Sequence, residues 1–476
     1  MGKNHLAEKG TDLDLLFRPR SLAVIGASPN SSKGGGFIWW RINEQGYLGK
    51  AYPISRSSKE LNGAQCYESV TDINEPVDVA IAAIPAAGME GLIADCAKKG
   101  IKFTVIHAAG FAELGEEGKA LQERVLDIAR SSGMRLVGPN CMGIFCPEVK
   151  LNTIVDIDKD DMAPGGVAFC GQSGWATEDF LAGGSARGLK YSTVISSGNQ
   201  ADLGIFDYVS YFGSDPKTKV ICAYTEGINQ GRDLLETASQ VGMEKPIIVW
   251  KSGFSQAGAR AAQSHSGSLA GNREIWVGAA RSAGIIMAEG FEDLLDMAIA
   301  FSGPLLPKGR KVGIVAEAGG GGISTADACE ALGLEVNPFS AQLQKQLMDF
   351  LKDYLPPFSG ISNPLDIVWL TPDVAVKVGT KCLELVASEV DSIIFMSYPT
   401  FFYPELRPAY IASMCQLRDR LQIPIFVVPP YAARGAEGMK EFTTAGFPAF
   451  PAFERAARAV SATAGYLEWV TSRKRA

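Results

Sequence analysis

The stretch Lys251–Gly271, KSGFSQAGARAAQSHSGSLAG, sets an imidazole, His265, between Ser264 and Ser266, with Gly267 and Gly271 close behind. Histidine is scarce in this chain, with three in 476 residues. Near neutral pH an imidazole is both a nucleophile and a proton carrier. Small polar neighbours leave room for a bulky group to reach the ring, and glycines let the backbone turn tightly, so the stretch reads as a flexible loop carrying a reactive group. A polar surface loop without chemistry is the plain alternative. A second group belongs with it. Glu226 follows the apolar run Val220–Tyr224, and a carboxylate at the carboxyl end of a strand lies where open α/β sheets place their ligands. The next run, Pro246–Trp250, leads into the His265 stretch. Glu226 can then accept the Nδ1 proton and leave Nε2 free to attack. Ser173, in GQSG 171–174, precedes a helix starting near Trp175; its hydroxyl and the neighbouring amides can cap that helix and hold an anion at its positive end. His107, closing the run Phe103–His107, reads instead as a packed strand-end residue.

These groups need a scaffold, and the chain repeats one. A short apolar strand runs into a glycine- or serine-rich turn and then a helix at Ser21–Ser28, again at Gly166–Gly174 and again at Arg310–Gly322, at nearly equal spacing. The repeat predicts three consecutive open α/β domains with mainly parallel sheets, residues 1–150, 151–305 and 306–476. In the first, Leu22–Gly26, Val77–Ile84, Phe103–His107 and Arg135–Val137 are the strand candidates, and Leu121, Val125, Ile128 and Ala129 share one helix face. In the second, the turns Ser196–Asp202 and Asp215–Thr218 bracket a helix with Ile205, Tyr208, Val209 and Phe212. The first-domain loop GASPNSSKGGG lacks the second glycine of G-x-G-x-x-G, because Ser28 stands there. Its amides at a helix start, with Lys33, still suit a phosphate. In the third domain, four consecutive glycines, Gly319–Gly322, let backbone amides approach an anion closely.

Composition narrows the field. A net charge of −7 argues against a general nucleic-acid or anionic-membrane binder. No apolar run approaches the ~20 residues of a membrane span, and MGKNHLAEKG lacks a signal-peptide core. The nine cysteines show no C-x-x-C spacing, which argues against disulfides and a zinc site, so no metal is expected and the chain reads as cytoplasmic.

Taken together, SHSGSLAG at 264–271, SGNQAD, DPKT and YTEGI within 197–228, GQSG at 171–174, AGFAE at 109–113 and GPNCMGI at 138–144 resemble the ADP-forming acyl-CoA synthetases, relatives of succinyl-CoA synthetase. The resemblance runs from residue 13 to residue 470, in the order of the family's α part. It implies a Rossmann-like CoA-binding domain followed by two flavodoxin-like ligase domains. The implied reaction joins a small carboxylic acid to CoA, driven by ATP, through an acyl phosphate and a phosphohistidine. On this resemblance His265 carries the phosphate and Glu226 orients it. Ser173, Gly174 and Ser266, with Gly319, Gly320 and Gly321, hold phosphate. Gly26, Ala27, Ser28, Lys33, Ser55, Pro85, Gly110 and Phe111 form the CoA site.

The chain departs from the family in places. The usual third-domain Asn is Glu317 here, and the Pro between the glycines is Gly321; a carboxylate near a phosphate is repulsive unless it points away. The usual Asn-Pro-Lys of the CoA domain is Ser55-Arg56-Ser57, so a basic contact must come from Arg56, Lys59 or Lys33. Ser266 replaces the usual Thr and keeps the hydroxyl. Beyond Ala452 the sequence holds only the helical ERAARAVSATAGYLEWV and a basic tail. ATP and Mg2+ are therefore expected on a separate ATP-grasp β subunit, in a hetero-oligomer such as α2β2. Two other readings stay open: a CoA- or acyl-CoA-binding regulatory protein without catalysis, argued from Glu317, and a nicotinamide dehydrogenase, against which the missing glycine speaks. Trp175, Trp369, Phe401, Phe402 and Tyr403 either line a pocket larger than acetate needs or are ordinary core.

Overall fold

The structure is a computed structural model. It describes residues 13–475 apart from 33, 156, 229, 267–271, 356–359, 369, 397 and 430–431, and apart from the side chains of 159–160, 262–266, 399 and 432–434. Short runs of valine, isoleucine and alanine, buried at almost every position, build its strands, as expected where helices cover both faces of a sheet. In chain order, β1 (Ser21–Ile25) and β2 (Lys50–Ile54) come first. A small antiparallel pair comes next, β3 (Glu60–Leu61) with β4 (Ala64–Gln65). After it come β5 (Val79–Ala82), β6 (Phe103–Ile106) and β7 (Arg135–Val137). The larger five form a parallel sheet of order β2-β1-β5-β6-β7.

A second sheet takes β8 (Gly143–Cys146), β9 (Leu151–Asn152), β10 (Val167–Gly171), β11 (Tyr191–Ser196), β12 (Val220–Thr225), β13 (Ile247–Lys251) and β14 (Ile285–Ala288), in the order β14-β13-β12-β10-β11-β8-β9. Its first five members are parallel, and β8 and β9 extend it antiparallel. β8, which lies before residue 150, thus pairs with β11 of the second sheet rather than with the first. The third sheet, β15 (Val312–Ala316), β16 (Leu365–Asp366), β17 (Ser392–Met396) and β18 (Ile425–Val428), is parallel with order β16-β15-β17-β18.

The three sheets share one device. In each, the strand that opens the repeat (β1, β10, β15) has its successor on one side and the later strands on the other. Connections that leave a strand in opposite directions open a crevice at its carboxyl end, where α/β sheets bind ligands. Gly26, Gln172 and Glu317 stand at that position.

The chain divides into two compact units, residues 1–183 with 190–291 and residues 184–189 with 292–476. The first unit holds the first two sheets on a shared core, with Leu22, Val24 and Ile81 from one and Ile144, Ala168 and Ile221 from the other. Asp202 links them: its Oδ2 accepts from Arg135 Nε (2.7 Å) and from the Leu136 amide (3.0 Å) of β7. In the second unit, buried Asp296 accepts from Arg187 (2.7 Å) and Arg455 (2.8 Å), tying the short segment 184–189 and the C-terminal helix Phe453–Arg475 to the helix Phe291–Ser302.

The stretch around His265, expected as a loop, is instead a helix, Gln256–Ser266, with His265 in its last turn. Ser255 Oγ accepts from the Gly258 amide (3.0 Å) and caps it, and the alanine-rich GARAAQ that comes after favours helix strongly enough to override Gly258. Seven of the nine cysteines are buried, Cys66 and Cys415 are half-buried, and all nine are free thiols. Among the described residues no helix is long and apolar enough to cross a membrane.

Replacing Asp202 with Ala removes the side-chain acceptor of the Leu136 amide and the nearer carboxylate at the partly exposed Arg135 guanidinium, which keeps Asp207 at 3.9 Å, and should cost about 2 kcal/mol of stability. Asp202→Asn, which keeps an acceptor, should cost less. Urea denaturation midpoints check this, and an unchanged midpoint in the Ala variant would deny Asp202 its linking role.

Candidate active site

The first crevice is open. Gly26 turns with φ of 90°, and a Cβ there would lie 2.6 Å from the Ala83 carbonyl oxygen, so no larger residue fits. The amides of Gly26 and Ala27 both donate to the Ile54 carbonyl (3.1 Å each). Beside this turn lies a cavity of about 790 Å³, within the usual range of ligand pockets, lined in part by Gly26, Ala27, Ser28, Ser55, Arg56 and Ser57. The lining offers four serine hydroxyls, from Ser28, Ser55, Ser57 and Ser69, and the carboxylates of Glu68 and Asp95, so a phosphorylated nucleotide would meet its positive partner at the Arg56 guanidinium. Of the residues expected at CoA, Gly26, Ala27, Ser28 and Ser55 line the cavity, and Arg56 is the basic residue at it. Lys59 is exposed and outside the lining, and Lys33 lies outside the described residues.

Pro85, Gly110 and Phe111 do not line this cavity. Pro85 is exposed at the turn after β5, and the Phe111 ring is fully buried in the domain core, where its part is packing. The amides of Gly110 and Phe111 are already taken by Glu113 Oε1 (2.6 and 3.1 Å). The other Glu113 oxygen accepts from Asn199 Nδ2 (2.5 Å), so the AGFAE turn is joined to the SGNQAD turn. Burial works against this carboxyl, but the hydrogen bonds from Asn199, Gly110 and Phe111 hold it below the usual carboxylate range.

At the second crevice the ends of β10, β12 and β13 converge. Gln172 Oε1 accepts from the amides of Glu226 (2.8 Å) and Gly227 (3.3 Å) and from Thr225 Oγ1 (3.2 Å). Ser173 Oγ faces the Ala176 amide at 3.4 Å, a long capping contact at the start of the helix Gly174–Ala186. Gly174 lies against Met142 of the GPNCMGI turn, whose Cγ would be 2.8 Å from an added Cβ. The Tyr224 hydroxyl reaches Glu226 Oε1 (3.3 Å) and Ser252 Oγ (2.8 Å).

Lys251 is the residue that sequence reasoning passed over. It ends β13, is buried, and donates from Nζ to the Glu226 carbonyl (2.6 Å) and the Ser252 carbonyl (2.5 Å). Burial pulls its ammonium below the usual lysine range, with the Glu226 carboxylate working the other way. The available signal was a single lysine closing the apolar run IIVW. His265 and Ser266 have their backbones in the helix Gln256–Ser266, but their side chains lie outside the described residues, and so does the contact expected between Glu226 and His265.

At the third crevice Glu317 is anchored to the end of the neighbouring strand. Its amide donates to the Met396 carbonyl (3.1 Å) and its Oε2 accepts from the Tyr398 amide (2.8 Å). Glu317 is the counterpart of Gln172. Each comes directly after the opening strand of its sheet, and each bridges to the backbone at the end of the neighbouring strand. The carboxylate that looked repulsive to an anion is thus turned onto backbone N–H. The helix Gly319–Ala331 starts at the first of the four glycines with no side-chain cap. An added Cβ at Gly319 would sit 2.9 Å from Asp366 Oδ2, and burial pushes the Asp366 carboxyl up. Of the aromatics considered for a pocket, Trp369 lies outside the described residues, Phe401 is core, and Phe402 and Tyr403 are exposed.

Three known protein families match the chain in succession. Residues 20–147 match the CoA binding domain, 164–301 the succinyl-CoA ligase like flavodoxin domain, and 312–425 the ligase-CoA domain. The acetate–CoA ligase [ADP-forming] I subunit alpha of Pyrococcus furiosus is 33% identical over 466 residues, covering 97% of this chain and 99% of that one. The chain belongs to the ADP-forming acyl-CoA synthetases. Subunit alpha of the acetate–CoA ligase [ADP-forming] II of the same organism is 39% identical over 358 residues, 75% of this chain and 76% of its own. Among solved structures, the dinucleotide forming acetyl-coenzyme A synthetase 1 of Ca. Korarchaeum cryptofilum, in complex with phosphate and ADP, superposes with a TM-score of 0.85 at 32% identity over 98% of each chain.

In this acyl-CoA synthetase His107 sits just after β6 with its Nε2 buried and unpartnered, and burial pushes its pKa down to about 4. The unfolded chain takes up this proton near pH 6.5, so the stability that neutral His107 contributes is full above that pH and shrinks as pH falls toward 4. The loss should reach about 2 kcal/mol by pH 5. His107→Gln should flatten the difference between urea midpoints at pH 7 and pH 5, and an unchanged pH dependence would show that another group titrates.

Proposed function

We propose that this chain is the α subunit of an ADP-forming acyl-CoA synthetase, making acyl-CoA, ADP and phosphate from a carboxylic acid, CoA and ATP through a phosphohistidine at His265. The observation that carries the reading is the convergence of Ser173, Gly174, Glu226 and Lys251 on the carboxyl ends of β10, β12 and β13, in a chain aligned over 97% of its length with an α subunit of this family.

A carboxylate and a thiol condense only when the carboxylate first gains a leaving group. Phosphate supplies one, and an imidazole can ferry it between sites that do not overlap. His265, phosphorylated as ATP becomes ADP, passes the phosphoryl group to the carboxylate, which restores the free ring and yields an acyl phosphate. Attack of the CoA thiolate on the acyl carbon then releases phosphate. Phosphoryl transfer asks the protein mainly for positioning and charge. In this reading Glu226 accepts the Nδ1 proton of His265 and steadies its positive charge, while Lys251 fixes the backbone that presents Glu226. The helix start at Ser173–Gly174, acting like about half a positive charge, and the Ser266 hydroxyl receive the phosphate. Gly319–Gly321 offer a second helix start, glycine-rich and without a side-chain cap. The cavity at Gly26–Ser28, Ser55 and Arg56 takes CoA. ATP and Mg2+ belong to an ATP-grasp β subunit. A CoA-binding regulatory protein drew its support from Glu317, and that support weakens with the carboxylate engaged by the Tyr398 amide.

His265→Asn should abolish acid-labile phosphate on the chain while leaving CoA binding intact. Glu226→Gln keeps the shape and loses the charge, so phosphorylation should slow by about 10²–10⁴-fold without loss of folding. Intact-mass analysis and peptide mapping check both, and phosphate found on any residue other than His265 would overturn the mechanism. Partnership has its own test. The purified chain alone should release no ADP from ATP, acid and CoA, and an ATP-grasp subunit should restore release; robust turnover by the chain alone would remove the partner from the scheme.

A further inference from the structure

Beside the second crevice stands an aromatic cluster that the reaction so far leaves unused. Tyr224 and Trp250 are register partners on β12 and β13, so their rings rise from the same face, and they meet edge to face at 4.7 Å. The flanking positions in the same register are Gly171 on β10 and Ala288 on β14, which add no bulk. The space is closed by Trp175 and Phe291, from the beginnings of the helices that come after β10 and β14. Trp175 lies 5.7 Å from Phe291 and 6.4 Å from Trp250, ring centre to ring centre. Yet Trp175 is 56% exposed. An indole held by two aromatic neighbours and still open to solvent is a rigid apolar surface, of the kind that binds ligands at small cost in side-chain ordering.

Its place identifies what it would bind. Trp175 is two residues from Ser173, and at the other end of the cluster the Tyr224 hydroxyl touches the Glu226 carboxylate (3.3 Å). We infer that Trp175, braced by Phe291 and Trp250, is the acyl-binding surface of this synthetase and selects carboxylic acids with branched or aryl groups over acetate. The inference rests on the reaction proposed above. An acyl phosphate is one small molecule, so when its phosphoryl group sits at the Ser173 helix start, its acyl chain begins within a bond or two of that point and extends onto the adjacent rings. A methyl group covers little of an indole, whereas a phenyl or isopropyl group covers much of it. Each added apolar group in such a site is worth about 10-fold or more in selectivity.

The half-reaction that, on the reaction proposed above, needs only this chain tests this. An acyl-CoA and radiolabelled inorganic phosphate give acyl phosphate and free CoA thiol; the acyl phosphate then passes its phosphoryl group to His265 and leaves as the carboxylate. Labelling rates are compared for acetyl-CoA, isobutyryl-CoA and phenylacetyl-CoA in the full chain. Phenylacetyl-CoA should exceed acetyl-CoA in the second-order rate constant of labelling by at least 10-fold. Trp175→Ala should lower that ratio by at least 10-fold, and Trp175→Phe, which keeps an apolar ring, should retain most of it. A preference for acetyl-CoA overturns the inference. So does a ratio unmoved by Trp175→Ala, including the case where the variant instead loses its hold on an ATP-grasp subunit, which would make the indole a partner contact. Absence of label from every acyl-CoA defeats the reaction reading itself, and the acyl surface with it.

Discussion

The residue placed directly after the opening strand of each parallel sheet constrains everything built around it. Connections leaving β1, β10 and β15 in opposite directions open a crevice at each carboxyl end, and that one residue stands at its mouth. Gly26, without a side chain, leaves the crevice open as a cavity. Gln172 and Glu317 reach across and bind the backbone of the neighbouring strand. A neutral bridge of this kind is worth about 1 kcal/mol net, and one to a carboxylate somewhat more. The larger effect is on shape. In the second and third repeats this one side chain ties two strand ends together.

The second platform is a dense polar frame. Gln172, Tyr224, Thr225 and Lys251 each make at least one hydrogen bond there, and the Glu226 backbone is held through both its amide and its carbonyl. Such a frame, when its members are partnered, fixes a unique arrangement, and removing one member is strongly destabilising. Phosphoryl transfer needs this kind of support, since geometry carries most of its catalysis. Burying an ammonium group opposes folding unless its lost hydration is replaced. At Lys251 two carbonyls and a nearby carboxylate replace it.

Much of this was legible in the sequence. The three strand–turn–helix repeats appear where the apolar runs and glycines put them, and Arg135–Val137 is a strand end to end. Other features depend on contacts that no local pattern encodes. GPNCMGI entered only as a motif of the family resemblance, and nothing local in it marks Gly143–Cys146 as a strand, which forms because β11 offers it an edge. The His265 stretch reads as a loop from its glycines and serines, whereas Ser255 and the alanines after it make a helix. Glu317 looked hostile to an anion because its sequence neighbours are glycines, and only the Tyr398 amide, 81 positions away, shows where the carboxylate turns. Phe111 sits inside a functional-looking motif but packs its ring into the core. The His265 and Ser266 assignments rest on sequence and family alone.

The distribution of thiols has a practical side. Seven cysteines are sealed in the cores, and burial raises the pKa of most of them, to about 12 for Cys96, Cys141, Cys329 and Cys382, so little nucleophilic thiolate forms at neutral pH. Only Cys66 and Cys415 reach the surface, the first in the unit that carries the open cavity and the second in the unit built on β15. An alkylating dye added to the native protein would therefore reach only these two, and slowly at Cys66, whose thiol burial also pushes up. The molecule comes with one half-buried thiol in each unit, and no engineered cysteine is needed to follow its two halves.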